Sequence, residues 1–228
     1  AEMHVSHIIT ATKQIMRKDG HLRPRLHLNG EEAHIRALEI ATMESEAVIE
    51  NPEDELHEFR IHGGATNRAL LMAGVEAGLR KEMLLKMYPQ HASIPFDAER
   101  KFSASLHEYR RGFRIFVLGA PELLLHGSSF LDFDGKKENL TASWRESILK
   151  KYGVMAGDGL RVVAAAYKDV SADTLDPARV TERLVFVGLL GLKDPVREDV
   201  ARSIEEAYDA GIRPIIITGD HAHTAEAV

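Results

Sequence analysis

Gly191-Leu192-Lys193-Asp194-Pro195-Val196-Arg197, continued through Ala210-Gly211-Ile212-Arg213-Pro214 to Thr218-Gly219-Asp220, is the stretch of this 228-residue sequence on which the reading of the fold turns. Just ahead of it, residues 184–190 form an apolar run of strand length, and from Val187 onward the order is strand, helix, strand. Asp194 supplies an N-cap, and Pro195 suits the first helical position, where a missing N–H leaves no bond unmade. Val196, Val200, Ile204 and Ala207 recur at spacings of three and four and mark a buried stripe. Gly211 ends that helix, and residues 212–217 form a second apolar strand suited to a parallel sheet covered on both faces. Ligands of open parallel sheets bind beyond the carboxyl ends of strands, so Thr218-Gly219-Asp220 stands where a phosphate would be held. A turn after a strand needs the same residue types for its geometry alone, and the local pattern leaves both readings open.

Working back from there, residues 1–192 show strand-like and helix-like stretches in irregular alternation, the pattern of an α+β domain. Phe102, Ala104 and Leu106 alternate with Ser103, Ser105 and His107, and an apolar run over 113–118 comes after Arg110-Arg111-Gly112. Together they predict an antiparallel hairpin with a glycine-containing turn. Thr66 is placed to cap a helix carrying Leu70, Leu71, Ala73 and Ala77, with Gly78 as its stop. Trp144, Ile148, Tyr152 and Met155 define a helix over 141–158 that ends at Gly159, and 160–167 reads as a buried strand. Asn51-Pro52-Glu53-Asp54-Glu55 reads as a surface loop within 49–59.

Composition narrows the function. A hydrophobic content of 44% can fill a packed core. Acidic residues number 35 against 29 basic ones, a net charge of -6, so nothing general draws the chain to nucleic acid or to anionic membranes. Cysteine is absent, which excludes disulfides, thiolate metal sites and a cysteine nucleophile and suits the cytoplasm. No apolar run approaches the roughly 18 to 20 residues of a membrane span, so a soluble chain is expected. His221 and His223, two apart and without a carboxylate cluster, make a poor metal site, and none is expected. Thr224-Ala225-Glu226-Ala227-Val228 reads as the opening of a helix, as in a piece of a longer protein.

Four further elements precede the terminal stretch in a fixed order. They are Gly64-Ala65-Thr66-Asn67 with Ala69-Leu70, Ile94-Pro95-Phe96-Asp97-Ala98-Glu99-Arg100-Lys101, Leu118-Gly119-Ala120-Pro121-Glu122 and Gly159-Leu160-Arg161-Val162. The set resembles the cation-transporting P-type ATPases, in particular the sarcoplasmic calcium-pump type. There the elements read Gly-x-Thr-Glu-x-Ala-Leu, Pro-Phe-Asp-Ser-x-x-Lys, Lys-Gly-Ala-Pro-Glu and Gly-Leu-Arg-Val. The resemblance implies an α+β nucleotide-binding domain over 1–192, an antiparallel sheet flanked by helices. Over 193–228 it implies an α/β strand-helix-strand fragment of a haloacid-dehalogenase-like phosphorylation domain. Ala1-Glu2-Met3-His4-Val5 is similar to the segment just after the family's Asp-Lys-Thr-Gly-Thr signature. The phosphorylated aspartate and the later Gly-Asp-Gly-x-Asn-Asp magnesium element are therefore expected outside this chain.

By the same resemblance Phe96 stacks on adenine, Lys101 and Arg161 reach the phosphates, and the Gly119-Ala120 backbone lets the nucleotide approach closely. Asn67 and Leu118 occupy further nucleotide-side positions, and Thr218, Gly219 and Asp220 attend the transferred phosphate. The implied ligands are ATP and magnesium. The implied partners are the phosphorylation, actuator and transmembrane domains of the pump, with this domain at the cytoplasmic face of a membrane. The sequence departs from the family at Leu118, where a lysine is the rule, at Asn67 in place of glutamate, and at Ala98, an arginine in some relatives. Losing one such lysine contact forfeits about 1.5 to 3 kcal/mol, roughly ten- to a hundredfold in affinity, so ATP binding is expected to be weak. A lysine restored at position 118 is expected to tighten it, unless Leu118 points into the core. The rival function is a regulatory or interaction domain that kept the fold and lost nucleotide binding. An independent phosphatase is set aside because its aspartate nucleophile is absent.

Overall fold

The computed structural model of the protein describes residues 2–18, 22, 32–54, 58–194 and 200–215. In chain order its elements are β1 (His4–Thr10), β2 (Gln14–Met16), α1 (Ala33–Glu44), β3 (Val48–Ile49), β4 (Ile61–His62), α2 (Ala65–Glu76), α3 (Lys81–Met87) and β5 (Gln90–Asp97). Next come β6 (Phe102–Tyr109), β7 (Gly112–Gly119), α4 (Pro121–Gly127), β8 (Ser128–Phe133), β9 (Lys136–Asn139), α5 (Ala142–Gly157), β10 (Arg161–Val170), β11 (Leu184–Lys193) and α6 (Val200–Asp209). No helix among the described residues is long and apolar enough to cross a membrane.

Seven strands lie side by side in the order β2-β1-β11-β10-β7-β6-β5, each antiparallel to its neighbour. The first part of β11 also takes β8 as a parallel neighbour, with β9 beyond it. Alternation along the strands gives the sheet two apolar faces. Phe116, Leu118, Ala165 and Tyr167 share one core with α1, α2 and α3, while Ile115, Val117, Ala164 and Ala166 share the other with α4 and α5. The antiparallel sheet flanked by helices expected from the sequence is present.

Helix α1 is the hub of the first face and is buried on nearly every side. Its first N–H is capped from a distance, Ala33 N donating to Asp134 Oδ1 at 3.0 Å, because Glu32 makes no side-chain cap. Of its buried ionisable residues, Arg36 bridges to Asp132. Nearby, Arg114 lies between the rings of Tyr109 and Tyr167 while holding Asp169 through two bonds of 2.6 and 2.9 Å.

Several local expectations change in three dimensions. The run 184–190 is a strand, but it belongs to the antiparallel sheet, since its hydrogen-bonding edges face β1 and β10. Helix α6 forms, yet none of its described residues is buried, and Ile204 and Tyr208 are exposed. Residues 212–215 are not assigned to a strand, and Pro195, Val196, residues 216–217, His221 and His223 lie outside the described residues. Thr66 does not cap α2: Gly64 is the N-cap, and the Thr66 side chain is engaged elsewhere. The hairpin turn takes its left-handed residue at Arg110, φ +55°, leaving Gly112 to open β7 opposite Tyr109. Thr141 does cap α5, accepting from Trp144 N at 3.3 Å, and Gly159 comes after that helix at φ +74°.

Helices α1 and α2 cross so closely that a Cβ at Gly74 would overlap Thr42 Oγ1, a hydroxyl with no hydrogen-bond partner among the described residues. Gly74→Ala is expected to destabilise the chain by about 1 to 2 kcal/mol in urea unfolding, although helix propensity alone favours alanine by about 1 kcal/mol. Thr42→Ala in the same molecule should recover most of the loss. A double variant no better than Gly74→Ala would show that the contact is not what requires glycine.

Candidate functional site

Antiparallel pairing gathers one end of the sheet. His4 of β1 lies opposite Lys193 of β11, so the two strands that bring the chain in and take it out are side by side. Arg161 begins β10 opposite Leu192; Gly119 ends β7 opposite both Ala164 of β10 and Phe102 of β6; Asp97 ends β5 opposite Phe102. Phe96, Lys101, Gly119, Ala120 and Arg161, drawn from three of the quoted elements, therefore share that end with both chain connections.

The fourth element joins them through one contact. Arg161 Nη1 donates to Thr66 Oγ1 at 2.9 Å, across 95 residues of sequence. The next residue, Asn67, is half-buried at the start of α2, and its carbonyl accepts from Ser45 Oγ at 2.8 Å. Thr66, whose place at a helix start suggests only a cap, is in the structure the contact that ties α2 to Arg161.

Each motif divides its residues between scaffold and surface. The Asp97 carboxylate accepts from the backbone N–H groups of Glu99 at 3.0 Å and Arg100 at 2.9 Å, and Lys101 N–H donates to the Asp97 carbonyl at 2.7 Å. These amides, that of Arg100 foremost, hold the Asp97 carboxyl below its ordinary value. The turn they make places Lys101, at φ +60°, on the exposed end of the hairpin. A Cβ at Gly119 would lie 2.6 Å from the Lys101 carbonyl oxygen and 2.7 Å from Phe102 Cβ, so only glycine lets β7 close on that turn. Ala120 N–H then donates to the same Lys101 carbonyl at 2.9 Å, and Pro121 opens α4. Glu122 accepts from Tyr152 Oη at 2.6 Å and so ties α4 to α5; burial, then Glu122, push the Tyr152 phenol up to about 12.

What remains is an open shelf. Phe96 is 61% exposed near the end of the outermost strand, so it is not the core residue its hydrophobicity alone suggests, and an exposed aromatic ring suits a flat partner. Lys101 and Arg161 are exposed cations at the same end, which suits a flat base with an anionic tail. A cavity of 470 Å³ between β1, β2 and α5 is lined by none of these three residues.

Leu118 does not come to the surface with the others. It is 7% exposed and points toward α1 in the same core as Phe116 and Ala165, because β7 alternates and residue 118 falls on the inner face. Thr218, Gly219 and Asp220 lie outside the described residues.

This arrangement has relatives. A sequence model of the P-type ATPase cytoplasmic domain N matches residues 34–199. The chain is 36% identical over 166 residues to Calcium-transporting ATPase 1 of Bacillus cereus, covering 73% of this chain and 19% of that protein. It is 41% identical over 156 residues to the endoplasmic reticulum-type Calcium-transporting ATPase 2 of Arabidopsis thaliana, covering 60% and 15%. With Cation-transporting ATPase pma1 of Synechocystis it shares 34% over 174 residues, covering 75% and 19%. The chain thus belongs to the P-type ATPase family and carries its cytoplasmic N domain, and it spans a fifth or less of the length of these relatives.

The position of Leu118 changes what a lysine there should do. Leu118→Lys is expected to lower the melting temperature, by an equivalent of about 1 to 3 kcal/mol for an ammonium carried into an apolar core, without tightening ATP binding. Melting and nucleotide titration on one sample check this, and an unchanged melting temperature with tighter binding would place the side chain on the ligand side.

Proposed function

We propose that this chain is the ATP-binding domain of a cation-transporting pump together with the opening of its phosphorylation domain, divided at 192/193. Its task is to present ATP for phosphoryl transfer to an aspartate outside the chain. The observation that carries the reading is the convergence of four separated motifs on one end of the sheet, where an exposed ring lies with two exposed cations. Phe96 takes the adenine by stacking, Lys101 and Arg161 take the phosphates, Asn67 offers an amide, and the Gly119-Ala120 backbone leaves room for the ligand. Magnesium comes with the phosphates and offsets their charge at the transfer site, whose residues in this chain would be Thr218, Gly219 and Asp220.

The position of the shelf suits delivery. It adjoins the paired strands β1 and β11, through which the chain enters and leaves the sheet, so a hinge there swings the bound γ-phosphate toward the acceptor domain. The aspartate attacks in line and an acyl-phosphate forms; domain movement then couples that step to ion passage through membrane helices. The unburied stripe of α6, with Ile204 and Tyr208, fits a helix that the rest of a haloacid-dehalogenase-like domain would cover. The relatives bear the names of calcium and cation transporters, which supports a cation as the cargo.

Burial of Leu118 favours one variation on this reading, a domain that binds nucleotide weakly or has lost it and serves as an interaction module. ATP titration followed through amide NMR shifts separates the two, since shifts clustered on Phe96, Lys101, Gly119 and Arg161 support the nucleotide domain and their absence supports the module. Phe96→Ala is expected to weaken ATP binding by about 1 to 3 kcal/mol, the worth of base stacking, while the melting temperature hardly moves because the ring is exposed. The chain by itself is expected to form no acyl-phosphate; stoichiometric, hydroxylamine-sensitive labelling from γ-labelled ATP would overturn that.

A further inference from the structure

Under the shelf a file of polar side chains crosses the apolar core. Glu44, the last residue of α1, is 8% exposed, and Ser103, Ser105 and His107 of β6 are buried with it. The Glu44 carboxyl is hydrogen-bonded to Ser105 and Ser103, and Ser103 is the cross-strand partner of Leu118. Ser105 Oγ is 2.6 Å from His107 Nε2, and His107 Nδ1 is 2.9 Å from the carbonyl oxygen of Tyr88.

These contacts can be counted in hydrogens. A carbonyl only accepts, so Nδ1 of His107 carries a hydrogen. In a neutral ring Nε2 then accepts, and the hydrogen between it and Ser105 comes from the hydroxyl. Ser105 has only that one hydrogen, so toward Glu44 it accepts, and the carboxyl must be protonated. Take the proton away, with the ring neutral, and one of the three contacts fails. An imidazolium beside a carboxylate holds the same single proton at the other end, but burial lowers His107 and raises Glu44, the latter to about 7, so the proton belongs on Glu44. The other charged groups facing the file are Lys81 of α3, Glu46 just after α1, and His91 of β5. Lys81, itself lowered by burial, donates to the Ser45 carbonyl.

The Glu44 end of the file reaches the shelf. Ser45, next to Glu44, donates to the Asn67 carbonyl, while at the other end His107 and Tyr88 stand by the start of β5, whose far end carries Phe96. We propose that Glu44, Ser105 and His107 share one proton, and that its loss weakens nucleotide binding at the shelf, with Glu44 as the positioning residue. The proposal rests on the nucleotide reading of this site. Deprotonation sets a buried carboxylate beneath an anionic ligand and breaks a bond that steadies either β6 or the entry to β5.

The test titrates the chain with magnesium-ATP between pH 6 and 8.5, beside Glu44→Gln, whose amide donates to Ser105 at every pH. The ratio of the two affinities removes the ionisation of ATP itself. Wild-type affinity relative to the variant is expected to fall by about threefold or more across that range. The variant should also be at least as stable as wild type above pH 7, because the Glu44 contribution is full below its unfolded value near 4.5 and is lost as pH rises through about 7. A constant affinity ratio overturns the proposal. Ring-nitrogen NMR of wild-type His107 at pH 6 stands apart from any variant: the neutral Nδ1–H form is expected, and the neutral Nε2–H form would overturn it. Phe96→Ala distinguishes the two levels. If that variant binds ATP as wild type does, the site reading has failed and the proposal with it; if it binds weakly while the affinity ratio stays constant, only the shared proton has failed.

Discussion

Strand β11 enters the sheet between β1 and β10, and its backbone pairs on both sides while both of its faces are covered: every residue from Leu184 to Leu192 is buried. Without it the first two strands and the block from β10 to β5 are separate half-sheets, and α1 has no continuous floor to pack on. The approach is tight enough to dictate residue type, since a Cβ at Gly188 would lie 2.6 Å from the Ile9 carbonyl oxygen. The loop closed by pairing β1 with β11 spans most of the described chain, but closure entropy grows only with the logarithm of length, so burial of a central strand outweighs it. On its other edge β11 sets Leu192 opposite Arg161 of β10 and so brings the candidate site to the chain connections.

The motif residues of the shelf are divided between scaffold and surface. Asp97, Gly119 and Glu122 are used by the scaffold, in a turn, a close strand crossing and a helix tie, and this frees Phe96, Lys101 and Arg161 to face outward without being loosely held. Beneath them the core is not wholly apolar, and several of its polar groups are arranged as connected sets. Arg36 is paired with Asp132, Arg114 is held by Asp169 between two rings, and Glu44 continues through Ser105 to His107. Buried polar groups of this kind are tolerated only when each finds its partner, so they favour a single arrangement of the helices over the sheet.

Much of this was legible in residue order, and the exceptions have physical causes. Alternation over 102–118 and the spacing of Ile148 and Met155 announced a hairpin and a helix that are there, because the apolar residues of each recur at the period of the element that carries them. Helix α1 left no such signal: it is covered nearly all round, so it lacks a polar face, and its cap comes from Asp134 about a hundred positions away. Ser103, Ser105 and His107 were readable as one side of a strand, whereas their burial under α1 was not, since nothing local says that a polar side will be covered. In the site, Phe96 with Lys101 and Arg161 was found through motif resemblance and lies exposed at one sheet end. Leu118 belongs to the same motif, but strand parity turns it inward, and parity is fixed by pairing rather than by the motif. The contact of Arg161 with Thr66 could only emerge once β10 and α2 were neighbours.

The outermost strand carries a further consequence. Among the described residues β5 pairs on one side alone, and an unpaired strand edge beside an exposed aromatic ring is a template on which another chain can add a strand. Here the residue before Phe96 is Pro95, which has no N–H to offer, and the pairing register with β6 shifts between Ile94 and Asp97. The edge is therefore interrupted at the ring itself. An exposed aromatic ring at a sheet end can in this way stay open to small flat molecules while offering the backbone of a neighbouring chain no continuous edge on which to polymerise.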